Sequence, residues 1–152
     1  MSSVRVEAAH RFGVPVTRGF AYITDQANWP SYWPGLVRIE PGSRWSEPGD
    51  ETRLVVKLLG REVELRMTLT ALEQDRRVEY TSVQAGLPDA HHERHFQGEG
   101  DAFEYRVVVE YEPRPGLRGL YDRVLVRRGV ARALRATIES LERELEAQSR
   151  PR

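Results

Sequence analysis

The sequence predicts an α+β fold, with a curved antiparallel sheet of about seven strands wrapped on one long C-terminal helix. Two observations carry this reading. From Leu36 to Tyr111, apolar and polar residues alternate in short runs broken by glycine- and proline-containing turns, which is the period of half-buried strands. After Pro113 and Pro115-Gly116 the period changes: Leu117, Leu120, Val124, Ala131, Leu134, Ile138, Leu141 and Leu145 step by threes, fours and one seven. That spacing predicts an amphipathic helix of about 28 residues. A helix with a single apolar stripe must lie across the concave face of the sheet, and this arrangement can leave a space between the two.

Each element follows in order. Val4, Val6 and Ala8 alternate with Arg5 and Glu7 in a first strand that runs to about Phe12. Pro15 suits the first turn of a helix, where its missing N–H goes unused, and Val16, Phe20 and Ile23 share one face of a short helix ending near Asp25. A second short helix or turn carries Asn28 to Tyr32 and closes at Pro34-Gly35. Trp29, Tyr32 and Trp33 form an aromatic cluster there, which must bury itself against something or line the rim of a pocket. Strands are then expected over Leu36–Glu40, Thr52–Leu58, Glu62–Leu69, Arg77–Gln84, His91–Gln97 and Phe103–Tyr111. Pro41-Gly42, Pro48-Gly49-Asp50, Gly60-Arg61, Gly86–Asp89 and Gly98–Asp101 supply the connections.

At 152 residues the chain is expected to form a single domain, with a core over about residues 4–145 and a polar tail that frays from about Arg143. A chain of this size buries about 70% of its unfolded surface, so one core suffices. Without cysteine there is no disulfide, thiolate nucleophile or thiolate metal site, which fits a cytoplasmic location. The N-terminal residues lack a signal-peptide core and no run reaches membrane-span length. Lysine plus arginine and aspartate plus glutamate number 23 each, so the net charge supplies no general field for nucleic acid or an anionic membrane. No cofactor is expected, and the chain is expected to be a monomer or homodimer.

With these elements placed, the chain resembles the START-like superfamily, the helix-grip group that includes polyketide cyclases, dehydrases and lipid-transfer proteins. The resemblance rests on Val14-Pro15-Val16 before Phe20–Asp25, the Trp-Pro corner from Trp29 to Gly35, Glu47-Pro48-Gly49 ahead of the strand Thr52–Leu58, and Thr137–Glu142 near the helix end. It covers about residues 4 to 145. It implies a helix-grip fold holding a small apolar ligand between sheet and helix; it implies no shared catalytic residue.

The inward strand positions are Leu54, Val56, Leu65, Met67, Val78, Tyr80, Tyr105 and Val107, with Tyr121, Val124 and Leu125 from the helix. Plain core packing is the alternative for each. A sealed empty pocket of ~300 Å³ would cost about 7 kcal/mol, so a real pocket must be open, watered or liganded and must show polar residues inside. If Phe96 faces inward, so do His92 and Arg94, and Ser82 lies on the inward set of the preceding strand. His92, Arg94 and Tyr80 are therefore the candidate catalytic residues, with Tyr105 beside them. Arg94 would hold a carboxylate, phenolate or enolate oxygen, and a neutral His92 would move protons. The structural alternative pairs Arg94 with a glutamate and His92 with a backbone carbonyl. Slipping the register by one residue would bring in Glu93 and His95 instead.

The candidate ligand-binding set is thus Trp29, Trp33, Leu54, Val56, Leu65, Met67, Tyr80, Ser82, His92, Arg94, Phe96, Tyr105, Val107, Tyr121, Val124 and Leu125. His91, Glu93 and His95 share the opposite face; without a fourth ligand no metal site is expected there. Arg127-Arg128 reads as a solvated patch, or with Arg128 guarding a pocket mouth, and Asp25 as a helix-end cap. Three functions compete: binding of a small hydrophobic or aromatic ligand, cyclase or dehydrase chemistry on a polyketide-like substrate, and a protein-binding adaptor with a filled core.

Overall fold

The computed structural model describes residues 3–149. Strand β1 (Val4–Phe12) leads into helix α1 (Val16–Thr24), a 3-10 turn (Gln26–Asn28) and helix α2 (Trp29–Tyr32). Six strands follow: β2 (Leu36–Ile39), β3 (Glu51–Leu58), β4 (Arg61–Glu73), β5 (Arg77–Gln84), β6 (Ala90–Glu99) and β7 (Ala102–Tyr111). The C-terminal helix begins as α3 (Leu117–Tyr121), passes through a π turn (Asp122–Val126) and continues as α4 (Arg127–Ser149). The seven strands form one antiparallel sheet in the order β1-β7-β6-β5-β4-β3-β2, and α4 packs against β1, β3 and α2. This is the helix-grip arrangement. The helix does not stop at the polar residues after Arg143 but carries on to Ser149, while Arg150, Pro151 and Arg152 lie outside the described residues.

The two short helices close one end of the sheet. Pro15 caps α1 from an extended conformation, and the Asp25 side chain accepts from the N–H of Ala27 at the start of the 3-10 turn (3.0 Å). The carbonyl of Ile23 accepts from both Trp29 Nε1 (3.0 Å) and the Tyr32 hydroxyl (2.6 Å). These two bonds tie α2 to α1 and let the polar tips of both rings be buried without loss. Trp29 and Tyr32 are core residues, and Trp29 meets Trp33 and Trp45 edge-on. Gly19 permits the close seating of α1: a Cβ there would lie 2.3 Å from the ring of Phe103, which is fully buried. Gly19→Ala is expected to destabilise the protein by about 1–3 kcal/mol despite alanine's better helix propensity, measured by urea unfolding.

A bulge in β4 and the hairpin turn before it shape the sheet. In β4 the pairing with β5 shifts between Leu69 and Ala71, a bulge that bends a 13-residue strand. The β3–β4 connection turns at Leu59-Gly60 rather than Gly60-Arg61; both have positive φ (55° and 79°), the requirement of a tight hairpin turn with the twist of its strands. Gly60 adopts that conformation freely, whereas Leu59 carries some backbone strain there.

The largest correction concerns the helix. Counting back from Leu145, Leu141, Ile138 and Leu134 at the α-helical period puts Leu120 and Val124 inward. The π turn holds one extra residue and rotates everything before it. Gly119, Asp122 and Val126 are the buried positions instead, while Leu117, Leu120, Val124 and Leu125 are exposed.

Candidate functional site

The concave face of the sheet and α4 enclose a cavity of about 420 Å³. Sheet residues on its wall include Val56, Leu65, Tyr80, Ser82, His92, Arg94, Tyr105 and Val107. The helix contributes Val126, Val130, Ala133, Leu134, Thr137 and Ile138, and Tyr32 and Trp33 close one end. Pro34, Lys57, Gly60 and Arg132 also line it and are exposed, so they mark the outer end where the cavity meets solvent. A volume of 420 Å³ kept dry and empty would cost about 10 kcal/mol at ~24 cal/mol per Å³, which rivals the stability of a whole domain. The space therefore holds water or a ligand.

The polar groups inside come from adjacent strands through pairing register. Tyr80 on β5 stands opposite His92 on β6, Val78 opposite Arg94, and Phe96 opposite Tyr105 on β7. Because alternate residues share a face, His92, Arg94 and Phe96 all point to the concave side. Arg94 Nη2 donates to the Tyr80 hydroxyl (2.9 Å) and Nη1 to the Tyr105 hydroxyl (3.2 Å). Its guanidinium carbon lies 5.5 Å from the centroid of the Tyr80 ring. Among the described residues no carboxylate forms an ion pair with Arg94, and its Nε is buried without a partner. Burial opposes the charge, and Tyr105 and Tyr80 outweigh it, holding the guanidinium above its ordinary range. Both phenols accept from Arg94, and neither is seen to donate its own O–H to a protein acceptor among the described residues. Burial pushes the Tyr105 hydroxyl up and outweighs the pull of Arg94, so it stays protonated and remains a donor.

His92 sits beside this cluster. Its ring stacks on Tyr80 at 4.4 Å with the planes only 6° apart, and its Nε2 lies 2.8 Å from Ser82 Oγ. Burial first, and the charge of Arg94 second, pull its pKa down to about 3. His92 is therefore neutral near pH 7, and its ionised form belongs to the unfolded chain. Between pH 6.5 and about 3 the unfolded state binds the extra proton, so this group makes stability fall as pH drops through that window. His92→Gln is expected to flatten that part of the profile, measured as the urea midpoint from pH 7 to 4; an unchanged slope would contradict the buried neutral imidazole.

Of the sequence-derived candidates, Trp33, Val56, Leu65, Tyr80, Ser82, His92, Arg94, Tyr105 and Val107 meet at the cavity. Leu54, Met67, Phe96 and Trp29 are packed into the core instead of facing it. Met67 and Trp29, with Trp45, border a small void on another side of Arg94 and Tyr80. Tyr121 only packs at the edge of the core, and Val124 and Leu125 are on the surface. The π turn rotates Val124 outward, whereas Tyr121 and Leu125 already lie off the stripe when counted back from Leu134 at the α-helical period. At the outer end the arginine is Arg132, not Arg128. Val109 and Tyr111 also line the cavity, and the alternation that placed Tyr105 and Val107 already contained them. Leu87 and Pro88 enter from the β5–β6 loop, where no periodicity exists to reveal them. On the convex face, Glu79, His91 and Glu93 bring their ligand atoms within 4.8 Å of one another, while His95 turns its Nε2 to Glu93 at 3.3 Å.

A second buried polar cluster anchors the helix. The fully buried carboxylate of Asp122 accepts from Arg114 Nη2 (2.8 Å), Nε (3.0 Å) and the Arg114 backbone N–H (2.8 Å). Arg114 Nη1 also donates to the carbonyl of Gly86 in the β5–β6 loop (2.8 Å), and the Tyr111 hydroxyl donates to the Asp122 carbonyl (2.7 Å). The π turn is thus bolted to the sheet end and to a cavity-lining loop.

The fold has clear counterparts among solved structures. The chain aligns over nearly its whole length with the Zhui aromatase/cyclase from Streptomyces sp. R1128 (TM-score 0.85, 15% identity, 98% of this chain and 97% of that one). A protein from Thermus thermophilus superposes with a TM-score of 0.80 at 19% identity, covering 97% of this chain and 100% of its own. A START superfamily protein from Mycobacterium smegmatis does so at 0.77 and 14%, covering 95% and 98%. At these identities the likeness is one of fold. No curated protein matches the sequence significantly. A family model described as polyketide cyclase / dehydrase and lipid transport matches residues 3–146. The match over residues 3–146 places the chain in the polyketide cyclase / dehydrase and lipid transport family, which the helix-grip sheet and the cavity beneath its helix fit.

Proposed function

We propose that the protein binds a small, mostly apolar or aromatic molecule whose inner end carries an oxygen acceptor, a carboxylate, phenolate or enolate. One observation carries this reading: Arg94 lines an otherwise largely apolar cavity with phenol partners and, among the described residues, no carboxylate. A charge in such a setting is costly unless something completes it. A ligand oxygen would meet the guanidinium and the two phenol O–H groups it orients, and the aliphatic wall would take the body of the molecule. The open cavity weighs against an adaptor with a filled core.

Cyclase or dehydrase chemistry is the second reading, supported by the convergence of Arg94, Tyr80 and His92 and by the likeness to an aromatase/cyclase. In it, Arg94 holds an enolate oxygen and His92 takes and returns a proton. The depressed pKa of His92 favours binding over catalysis, because so weak a base has little driving force near pH 7. Two dyes of similar shape test the first reading. The anionic anilinonaphthalene sulfonate should bind more tightly than neutral N-phenylnaphthylamine, and both should be displaced by any molecule that native mass spectrometry finds bound. Equal affinity for the two dyes would overturn it. Turnover of an aromatic polyketide precursor, lost in His92→Ala, would establish the second.

A further inference from the structure

The start of the C-terminal helix carries a surface that the cavity does not use. Leu117 is 87% exposed, Leu120 64%, Leu125 47% and Val124 41%. Single exposed leucines are ordinary, but four large apolar side chains crowded into one short segment form a patch. The π turn sends Leu120 and Val124 outward beside Leu117 and Leu125, with Gly119, Asp122 and Val126 taking the buried side.

The charges around this patch are segregated in a way the zero net charge conceals. From Leu117 to Arg135 the chain carries Arg118, Arg123, Arg127, Arg128, Arg132 and Arg135, all exposed, against one acid. That acid is Asp122, buried and held by Arg114. Further along, Glu139, Glu142, Glu144 and Glu146 outnumber Arg143. At 1.5 Å per residue the centres of the two charge groups are roughly 23 Å apart, so the helix gives the molecule a basic, apolar end and an acidic end.

We propose that the basic end docks the protein on an anionic bilayer surface. Leu117 and Leu120 enter the boundary between headgroups and acyl chains, and the surrounding arginines meet lipid phosphates while their stems cover apolar surface. Two features favour this occupant. A second copy of the chain would set the same arginine-rich patch against itself across a two-fold axis, which is repulsive. A fluid interface also accepts leucines that stand out on a five-residue helix without needing a shaped partner. The charge separation along α4 orients the molecule, since only one end is attracted. The cavity wall begins at Val126 on the same helix, so docking sets the cavity near the bilayer. Docking does not depend on what the cavity holds.

Co-flotation of the full chain with vesicles tests this. Equimolar phosphatidylcholine and phosphatidylglycerol should retain the protein at least about tenfold better than phosphatidylcholine alone, and added salt should weaken the difference. The double variant Arg127→Gln/Arg128→Gln should lose binding by about twenty-five-fold, taking about fivefold for each arginine. Leu117→Ser/Leu120→Ser should lose it by about tenfold or more. None of these residues lines the cavity, so unchanged dye binding and melting temperature will show that both variants remain folded. Absence of retention on anionic vesicles at low salt overturns the proposal, as does equal retention on neutral ones. A dimer abolished by Leu117→Ser/Leu120→Ser, without vesicle binding, overturns it in favour of self-association. Cavity binding, read by the dyes, can succeed or fail independently of each outcome.

Discussion

Replacing Arg94 with methionine is expected to leave the protein as stable as before, or more stable by about 1 kcal/mol, while removing its preference for anionic ligands. The expectation follows from what surrounds the guanidinium. Two phenol oxygens and one aromatic face partner Arg94, and no carboxylate does among the described residues. A desolvated charge with neutral partners is held at a cost, and replacing such groups with apolar side chains of similar volume is often neutral or stabilising. The gain is kept small here because the side chain is only half-buried and the cavity admits water. On the ligand side, a hydrogen bond to a charged group is worth about 1.5–3 kcal/mol, so anilinonaphthalene sulfonate should bind roughly 10- to 100-fold more weakly to Arg94→Met. N-phenylnaphthylamine should bind as it does to the wild type. A structural role for Arg94 would give the opposite signature, a lower melting temperature with both dyes affected alike.

Arg114→Ala is expected to be strongly destabilising although it lies away from the cavity. Asp122 has no solvent exposure and draws three hydrogen bonds from Arg114. Removing the arginine side chain leaves a buried carboxylate with only the backbone N–H of residue 114. Stranding one partner of a buried pair costs about 3–5 kcal/mol, and because Asp122 lies just beneath the surface the lower end, about 3 kcal/mol, applies. Burial pushes the Asp122 carboxyl up, but the bonds from Arg114 outweigh it and hold the pKa below the usual carboxylate range. The stability from this pair is therefore fully present above about pH 4 and is lost as pH falls through the lower, folded-state value. Asp122→Asn should be milder, since the partly exposed Arg114 can be resolvated, and it should erase this acidic limb. Urea unfolding of both variants from pH 7 to 3 measures it; a loss below about 1 kcal/mol in Arg114→Ala would show that the pair is not what holds the π turn.

The pairing of the sheet explains why much of the site was legible in advance. His92 and Arg94 could be assigned to the concave face because Phe96, four and two residues on, had to be inside, and a strand allows no other choice. Tyr80 and Tyr105 fell on inward sets by the same alternation, and antiparallel register then set them beside Arg94. Val109 and Tyr111 were equally legible in the alternation of β7. The helix was different. Its stripe after Leu134 obeys the α-helical period, but the extra residue of the π turn displaces Leu120 and Val124 from the inward positions that period assigns, and Tyr121 and Leu125 were never on that stripe. The π turn is held by Arg114 and Tyr111, which lie outside the helix, so the helical sequence alone contains no sign of it.

By itself, then, the sequence determined the order and type of the elements and the inward face of most strands, because these depend on periodicity within a few residues. The tertiary structure decided the phase of the helix above the cavity, the packing of Leu54, Met67, Phe96 and Trp29 behind the wall, and the phenol-only company of Arg94. Each of those depends on which groups from distant segments arrive beside one another. Whether Arg94 met a glutamate or two tyrosines was a question of neighbours across strands, and the answer separates a satisfied core cation from one left to face a ligand.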